Sequence, residues 1–361
     1  MAPAAALASP GAAFRLQGIR KSPLEATLSR RRLLSLLIAS ASLALATAPL
    51  PGLRRPLVVA VGSELARAMG ELEPLFERRH GDIDLDWTVQ GSQDMVNRAR
   101  EEGPERPRVL IPANRDLLKE LGGELQTPGG PPPFLQPPVP VARTLLVAVV
   151  WPERAKWLFP DGRFSWPQLR RAAAAGQWGA LGAPASWGSF DLRSADPMRS
   201  NSGQLTLALW CRGQNGTDCA AALRRAVYRP ARSTDILLQE FISGGPNEGD
   251  LALVYEASAL ARRNEASRQR PGGYVLLVPN PTIETVLAAA VLRGQSLGRA
   301  DDGERFVAFL LSQEGQGVLK RLGFRGADGG GGSPAARGVK RLPPPSPGER
   351  EELLRLWQQA G

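Results

Sequence analysis

A chain of 361 residues is long enough to bury more than one core, and at 43% hydrophobic and 22% charged it has the composition of an ordinary globular protein. Its formal charge of +10 is uneven, because residues 1–48 hold six Lys or Arg against one acid and leave +5 for the rest. The remaining basic residues are scattered and not interleaved with aromatics, which argues against a nucleic-acid surface. One His with two Cys is too small a set for a zinc or iron centre.

Residues 1–29 are rich in Ala and Pro and show no sustained apolar period. Ser29-Arg30-Arg31-Arg32-Leu33-Leu34 then opens an apolar stretch, residues 33–46, that closes on Ala46-Thr47-Ala48 before Pro49. A basic start, a short apolar segment and small residues at a cleavage point are the three parts of an export signal. The Ser-Arg-Arg-x-Leu-Leu order resembles the twin-arginine signal, with Leu33 where Phe is frequent and Ser35 where Lys is frequent. The stretch is short against the roughly 20 residues of a membrane span, and an uncleaved anchor is the alternative to cleavage.

After Pro56, residues 57–61 read as a buried strand, Gly62-Ser63 as a turn, and Leu65, Met69, Leu72 and Phe76 as the apolar face of a helix. Residues 83–89 alternate as a second strand and run through Gln90-Gly91-Ser92 into a second helix. A short strand at 108–111 ends in the polar turn Ala113-Asn114-Arg115, and residues 127–140, dominated by Pro and Gly, predict no regular structure. Residues 141–151 form a strongly apolar strand, and Ser165 with Pro167 starts a helix.

A strand over 190–195 leads into Asp196-Pro197-Met198-Arg199-Ser200-Asn201-Ser202-Gly203-Gln204 and then a helix through 205–210. Ser200, Asn201 and Ser202 are the residue types that cap a helix start, and Gly203 places no side chain between the backbone and a visitor. The dipole at such a start favours a negative group, so a small polar ligand, an anion best of all, is held there without a metal; a plain helix cap is the alternative. Cys211 and Cys219 form a disulfide if the chain is exported. Ser233 caps another helix, residues 251–256 are a strand ending in Tyr255-Glu256, and residues 274–278 are the last clear strand. Strands alternating with helices predict an α/β fold with parallel layers. Polar residues gather at strand ends, at 62–63, 91–92, 196–203 and 255–256.

Residues 305–326 hold two helices separated by Ser312-Gln313-Glu314-Gly315-Gln316. Phe-Leu-x-Ser-x-Glu-Gly-Gln at 309–316, followed by Gly323-Phe324-Arg325, resembles the C-terminal segment of the two-lobed bacterial extracellular solute-binding proteins. Asp-Pro-x-x-Ser-Asn-Ser-Gly at 196–203 is similar to their second-lobe ligand loop, and Val254-Tyr255-Glu256 to the strand end of the sulfate- and molybdate-binding branches. The resemblance covers residues 57–326. It implies a periplasmic-binding-protein-like fold, with lobe 1 at 57–140 plus 275–326, lobe 2 at 141–274 and two crossings that act as a hinge. It implies ligand contacts from Ser63, Ser92, Ser200, Asn201, Ser202 and Tyr255, a small solute or oxyanion delivered to a membrane ABC permease, a periplasmic monomer, and no cofactor, metal or nucleic-acid partner.

Glu256 is awkward beside an anion and is expected to pair with Arg199 or a hinge amide, or else to mark a cationic or neutral ligand. Arg193 and Arg199 are candidate charge partners, and Trp187 is a stacking surface or a buried residue. Residues 327–361 read as a Gly- and Pro-rich linker with one helix that packs on a lobe or meets a partner. Two other classes stand beside the transport reading: a scaffold that kept the fold and lost its ligand, and an exported hydrolase. The second lacks a Gly-x-Ser-x-Gly elbow, and its only histidine, His80, sits in a charged turn, so no enzymatic activity is expected.

Overall fold

In the computed structural model the described residues are 54–361, apart from 102, 104, 228, 295–298 and 361, together with residues 35, 37 and 38. Residues 1–53 are a separate unit, of which only Ser35, Leu37 and Ile38 are described, each helical and exposed. The export-signal reading otherwise lies outside the described residues. No helix among the described residues is long and apolar enough to cross a membrane.

The apolar run after Pro56 forms β1 (Arg55–Val61), buried on both faces from Leu57 onward. A single 3-10 turn (Ser63–Leu65) leads into α1 (Ala66–Arg79), which buries Met69, Leu72 and Phe76. In β2 (Ile83–Val89), buried Ile83 and Leu85 alternate with exposed Asp84 and Asp86. The helix α2 (Ser92–Arg100), the strand β3 (Val109–Ile111) and the helix α3 (Asp116–Leu125) complete three strand–helix units. β4 (Val139–Val150) follows, beginning inside the segment expected to lack regular structure. Next come α4 (Pro152–Leu158) and α5 (Trp166–Ala175), the latter capped by Ser165, whose hydroxyl accepts from the Gln168 amide.

The strand expected at 190–195 shrinks to β5 (Leu192–Arg193), with Ala195 making one further bridge to Ala231. α6 (Asn201–Cys211) is buried on nearly every side. α7 (Gly216–Ala226) is tied to it by the Cys211–Cys219 disulfide, Cα–Cα 5.2 Å. Then come α8 (Thr234–Gly244), β6 (Leu251–Tyr255), α9 (Glu256–Ala261), α10 (Arg263–Gln269) and β7 (Val275–Leu277). The Ala-, Val- and Leu-rich run beyond the expected last strand is itself a strand, β8 (Thr282–Val291). The chain ends with α11 (Ala300–Leu311), α12 (Gln313–Arg321), β9 (Arg325–Gly326), β10 (Arg341–Leu342) and α13 (Pro347–Gln359).

The sheet runs β2-β1-β3-β8-β4-β6-β5, with β10 on β8 and with β7 and β9 on β4. β1 is parallel to β2 and β3, but β8 is antiparallel to both β3 and β4, so the sheet is mixed where alternation of elements predicted parallel layers. The reason lies in two strands that cross between halves in opposite directions. Residues 139–145 of β4 pair with β8 and residues 146–150 with β6. β8 in turn pairs with β4 over 284–289 and with β3 at Ala290 and Val291. This is a two-lobed periplasmic-binding-protein architecture with two crossings. β7 pairs with Ala148, Val149 and Val150, on the far half of β4, so the return crossing is β8 and not a segment near residue 275.

Each half has its own core. One gathers Val59, Met69, Phe76, Phe306 and Phe309, and the other Trp178, Trp210, Leu253, Leu356 and Trp357. Residues 327–346, expected to be a linker, are bound along the crossings: the Ser333 amide donates to Glu256, the Lys340 amide to Asn280, and β10 lies parallel to β8. α13 then packs on α6 and α7, where Arg224 donates to the Trp357 carbonyl, and Arg350 reaches Glu120 of α3.

Candidate functional site

The carboxyl ends of β1, β2 and β6 and the starts of α2, α6 and α8 converge on one partly open space of about 10 Å³, room for a single water-sized body. The first sheet half contributes Gly62, Ser63, Glu64, Gln90, Gly91 and Ser92. The second contributes Arg199, Ser200, Asn201, Arg232, Ser233 and Tyr255. The first amides of a helix have no acceptor in their own helix, so three helix starts aimed at one spot supply donors and positive potential together. The halves are in contact here: a Cβ on Gly91 would stand 2.7 Å from the carbonyl oxygen of Arg199.

Of the six residues expected to contact ligand, Ser63, Ser92, Ser200, Asn201 and Tyr255 line this space and Ser202 does not. Ser202 is fully buried behind the helix start, where its hydroxyl bonds Thr234 at 2.6 Å and Ser200 at 3.2 Å. It holds Ser200 and the start of α8 in place. Ser200 is the N-cap of α6 by backbone geometry but makes no side-chain cap bond, which leaves its hydroxyl to this network. Ser92 accepts from the Ala113 amide at 3.2 Å and keeps its own proton to donate. Asn201 donates to the Tyr255 hydroxyl at 2.9 Å and lies 3.5 Å from the Thr285 hydroxyl of β8, so the cavity floor is tied to a crossing strand. Burial and the nearby Glu64 raise the Tyr255 phenol well above its ordinary value, so it stays protonated.

Gly203, expected to open the backbone to a visitor, instead lets α6 press against the chain before it. A Cβ there would collide with the Ala195 carbonyl and stand 2.7 Å from the Pro197 nitrogen. Glu256 points away from the cavity, because Arg325 grips it at 2.9 and 3.0 Å and the Ser333 amide donates to it at 2.7 Å. Its partner is therefore Arg325 and not Arg199. Arg193 pairs with Glu240, and Trp187 lies beneath the Arg154 guanidinium at 3.6 Å, far from a stacking role in this space. Among the described residues no three His, Cys, Asp or Glu cluster where a metal ion would sit.

Sequence reasoning missed Glu64, Gln90 and Arg232. Glu64 is the most consequential: only 7% exposed, it lines the cavity, and its Oε1 has no hydrogen-bond partner among the described residues. Burial pushes its carboxyl up to about 7 against the pull of its own backbone amide. The signal was its position directly after Ser63 at the end of a buried strand.

No curated protein matches the chain. Among solved structures, the sulfate-binding protein SubI of Mycobacterium tuberculosis superposes with a TM-score of 0.58 at 15% identity, covering 80% of this chain and 94% of its own. Iron-bound HitA of Pseudomonas aeruginosa gives 0.60 at 18%, covering 85% and 99%. AfuA of Actinobacillus pleuropneumoniae, a periplasmic binding protein with fructose-6-phosphate bound, gives 0.60 at 18%, covering 84% and 97%. Such likeness establishes the fold. Residues 57–325 match the family described as bacterial extracellular solute-binding protein, well over half of the chain, and it is to this family of binding proteins that the chain belongs.

Proposed function

We propose that this protein captures a small polar solute, an oxyanion by preference, between its two lobes and hands it to a membrane ABC permease, with no bond made or broken. The observation that carries the reading is the meeting of three helix starts, five hydroxyls and two guanidiniums at one space. Two of the structural neighbours are a sulfate-binding protein and a binding protein with fructose-6-phosphate bound, while a third is iron-bound, so the neighbours alone leave the class open. In this reading lobe 1 comprises residues 57–140 with residues 300–326, and lobe 2 comprises 141–281 with α13 packed into its core. The protein acts as a monomer in the periplasm, exported by the twin-arginine-like signal of residues 1–48, and the Cys211–Cys219 disulfide accords with an oxidising compartment.

A second reading, a scaffold with the same fold and no ligand, is favoured by the small size of the space and by the buried Glu64 carboxyl that lines it. A thermal-shift and calorimetric screen of the full chain against phosphate, sulfate, molybdate, ferric citrate and sugar phosphates separates the two. Solute at 100 times its dissociation constant stabilises the folded state by about 2.7 kcal/mol. A shift with one oxyanion class that Asn201→Ala abolishes is the expected result. Silence across the whole panel would leave the scaffold.

A further inference from the structure

Besides the two crossing strands, the chain passes between its halves a third time. α12 buries Val318 and Leu319 in the core of the first half, and α13 buries Leu356 and Trp357 in that of the second. Residues 327–346 join them along the crossings, where Arg341 comes within 3.4 Å of Glu284 on β8. α13 is fixed to the second half by that core and by Arg224 of α7, which donates to the Trp357 carbonyl at 2.8 Å. One of its side chains nevertheless belongs with the first half. Arg350, 9% exposed, donates from Nη2 to Glu120 Oε2 at 2.5 Å, and Glu120 stands on α3, which Leu117, Leu118 and Leu121 fix in the first half. Arg350 Nη1 and Glu120 Oε1 are buried and have no hydrogen-bond partner among the described residues. The charges beside them on the two helices are engaged elsewhere, Lys119 with Asp116, Glu124 with Arg100 and Glu352 with Arg355.

An ion pair between two bodies that move against each other acts only while they are together. Parting α3 from α13 returns both groups to water and loses a charge-assisted hydrogen bond, so the pair favours the arrangement in which the halves meet at the candidate site. Neither residue lines that site. The weight of the pair lies between that of an exposed one, which is small, and that of a buried one, because Glu120 keeps 29% of its side chain in water while Arg350 is almost covered. We propose that Arg350 and Glu120 are a latch between the halves: the third passage of the chain carries a cation of one half to an anion of the other and holds the two together. The hold concerns the halves alone. Its consequence for affinity, that solute is bound more tightly and released more slowly, rests on the solute capture proposed above.

The test places spin labels on Val89→Cys, at the carboxyl end of β2, and Ile236→Cys, in the first turn of α8, and reads their separation in the full chain without solute by pulsed dipolar spectroscopy. Both positions are exposed on elements that reach the candidate site from opposite halves, and Cys211 and Cys219 are bonded to each other and take no label. Arg350→Met keeps the apolar stem and leaves Glu120 to hydrate. It and Glu120→Gln should each shift the ratio of near to far separations about fivefold toward the far one. The double variant should go no further than either single one, the sign that the two residues act only through each other. Glu352→Gln, which removes an exposed pair within α13, should leave the ratio unmoved. Titration calorimetry of the same variants with inorganic phosphate and with sulfate should find whichever anion the unsubstituted chain binds held about fivefold more weakly. Separations that do not change in Arg350→Met and Glu120→Gln, or a double variant whose shift is the sum of the singles, overturn the latch whatever binds. A shift in separation without binding of either anion upholds the latch and goes against the oxyanion reading.

Discussion

At the scale of single residues, Glu64 is a buried carboxyl whose proton is held far above its ordinary value. A solvent-exposed Glu releases its proton near 4.5, whereas the folded protein holds this one to about 7. Folding therefore takes up a proton between those values, and stability falls as pH rises through that window, by about 3 kcal/mol for this group alone. Glu64→Gln removes the term. The variant should be the more stable form at about pH 8, with the advantage shrinking toward pH 5; denaturant titrations at both pH values check it, and an advantage that does not change with pH would be the contrary result. The hydroxyls at 63, 92 and 200 and the Asn201 amide were legible in the sequence because residues that begin helices at strand ends are identifiable from local chemistry. Glu64 was not, since its burial depends on Gly62, Tyr255 and α8, which come together only in three dimensions. The exclusion of Ser202 has the same origin: the hydroxyl that claims it, Thr234, is 32 residues away.

At the scale of elements, the strands with clean apolar runs, such as β1 and β6, were readable, and β8 was not. Its Ala- and Val-rich composition, 282–291, fits a buried helix as well as a strand by periodicity alone. What makes it a strand is pairing on both edges, with β3 and β4, that only the crossing topology provides. The C-terminal helix is a parallel case. The sequence showed a helix there, which begins at a capping box of Ser346 and Glu349, but not its destination. Leu356 and Trp357 enter the core of the second half, and a Cβ on Gly216 would stand 2.8 Å from Leu356. α13 is therefore part of that core. Trp357→Ala should cost about 3–5 kcal/mol in denaturant unfolding, the range for a buried aromatic deleted from a packed interior, whereas a helix merely tethered to the surface would cost under about 0.5 kcal/mol.

At the scale of the whole molecule, the two halves meet at the candidate site, and one close approach between them is made by backbone. Gly91, in the turn after β2, faces the Arg199 carbonyl just before α6, and the sequence could identify both turns without showing that they touch. The backbone at Gly91 is extended, φ −61°, so alanine fits its conformation, and the cost of Gly91→Ala falls on the approach of one half to the other. A wedge of one methyl group between backbones acts on closure and leaves each core untouched. On the proposed function solute binds the closed form, so a change that makes closure less favourable lowers affinity by the same free energy: about tenfold for each ~1.4 kcal/mol. Gly91→Ala should thus bind the solute of the wild type at least about tenfold more weakly and give a larger radius of gyration by small-angle scattering under saturating solute, with its denaturant midpoint little moved. Wild-type affinity and dimensions in the variant would mean that the Arg199 turn yields, and that closure is set at the crossing strands β4 and β8 instead.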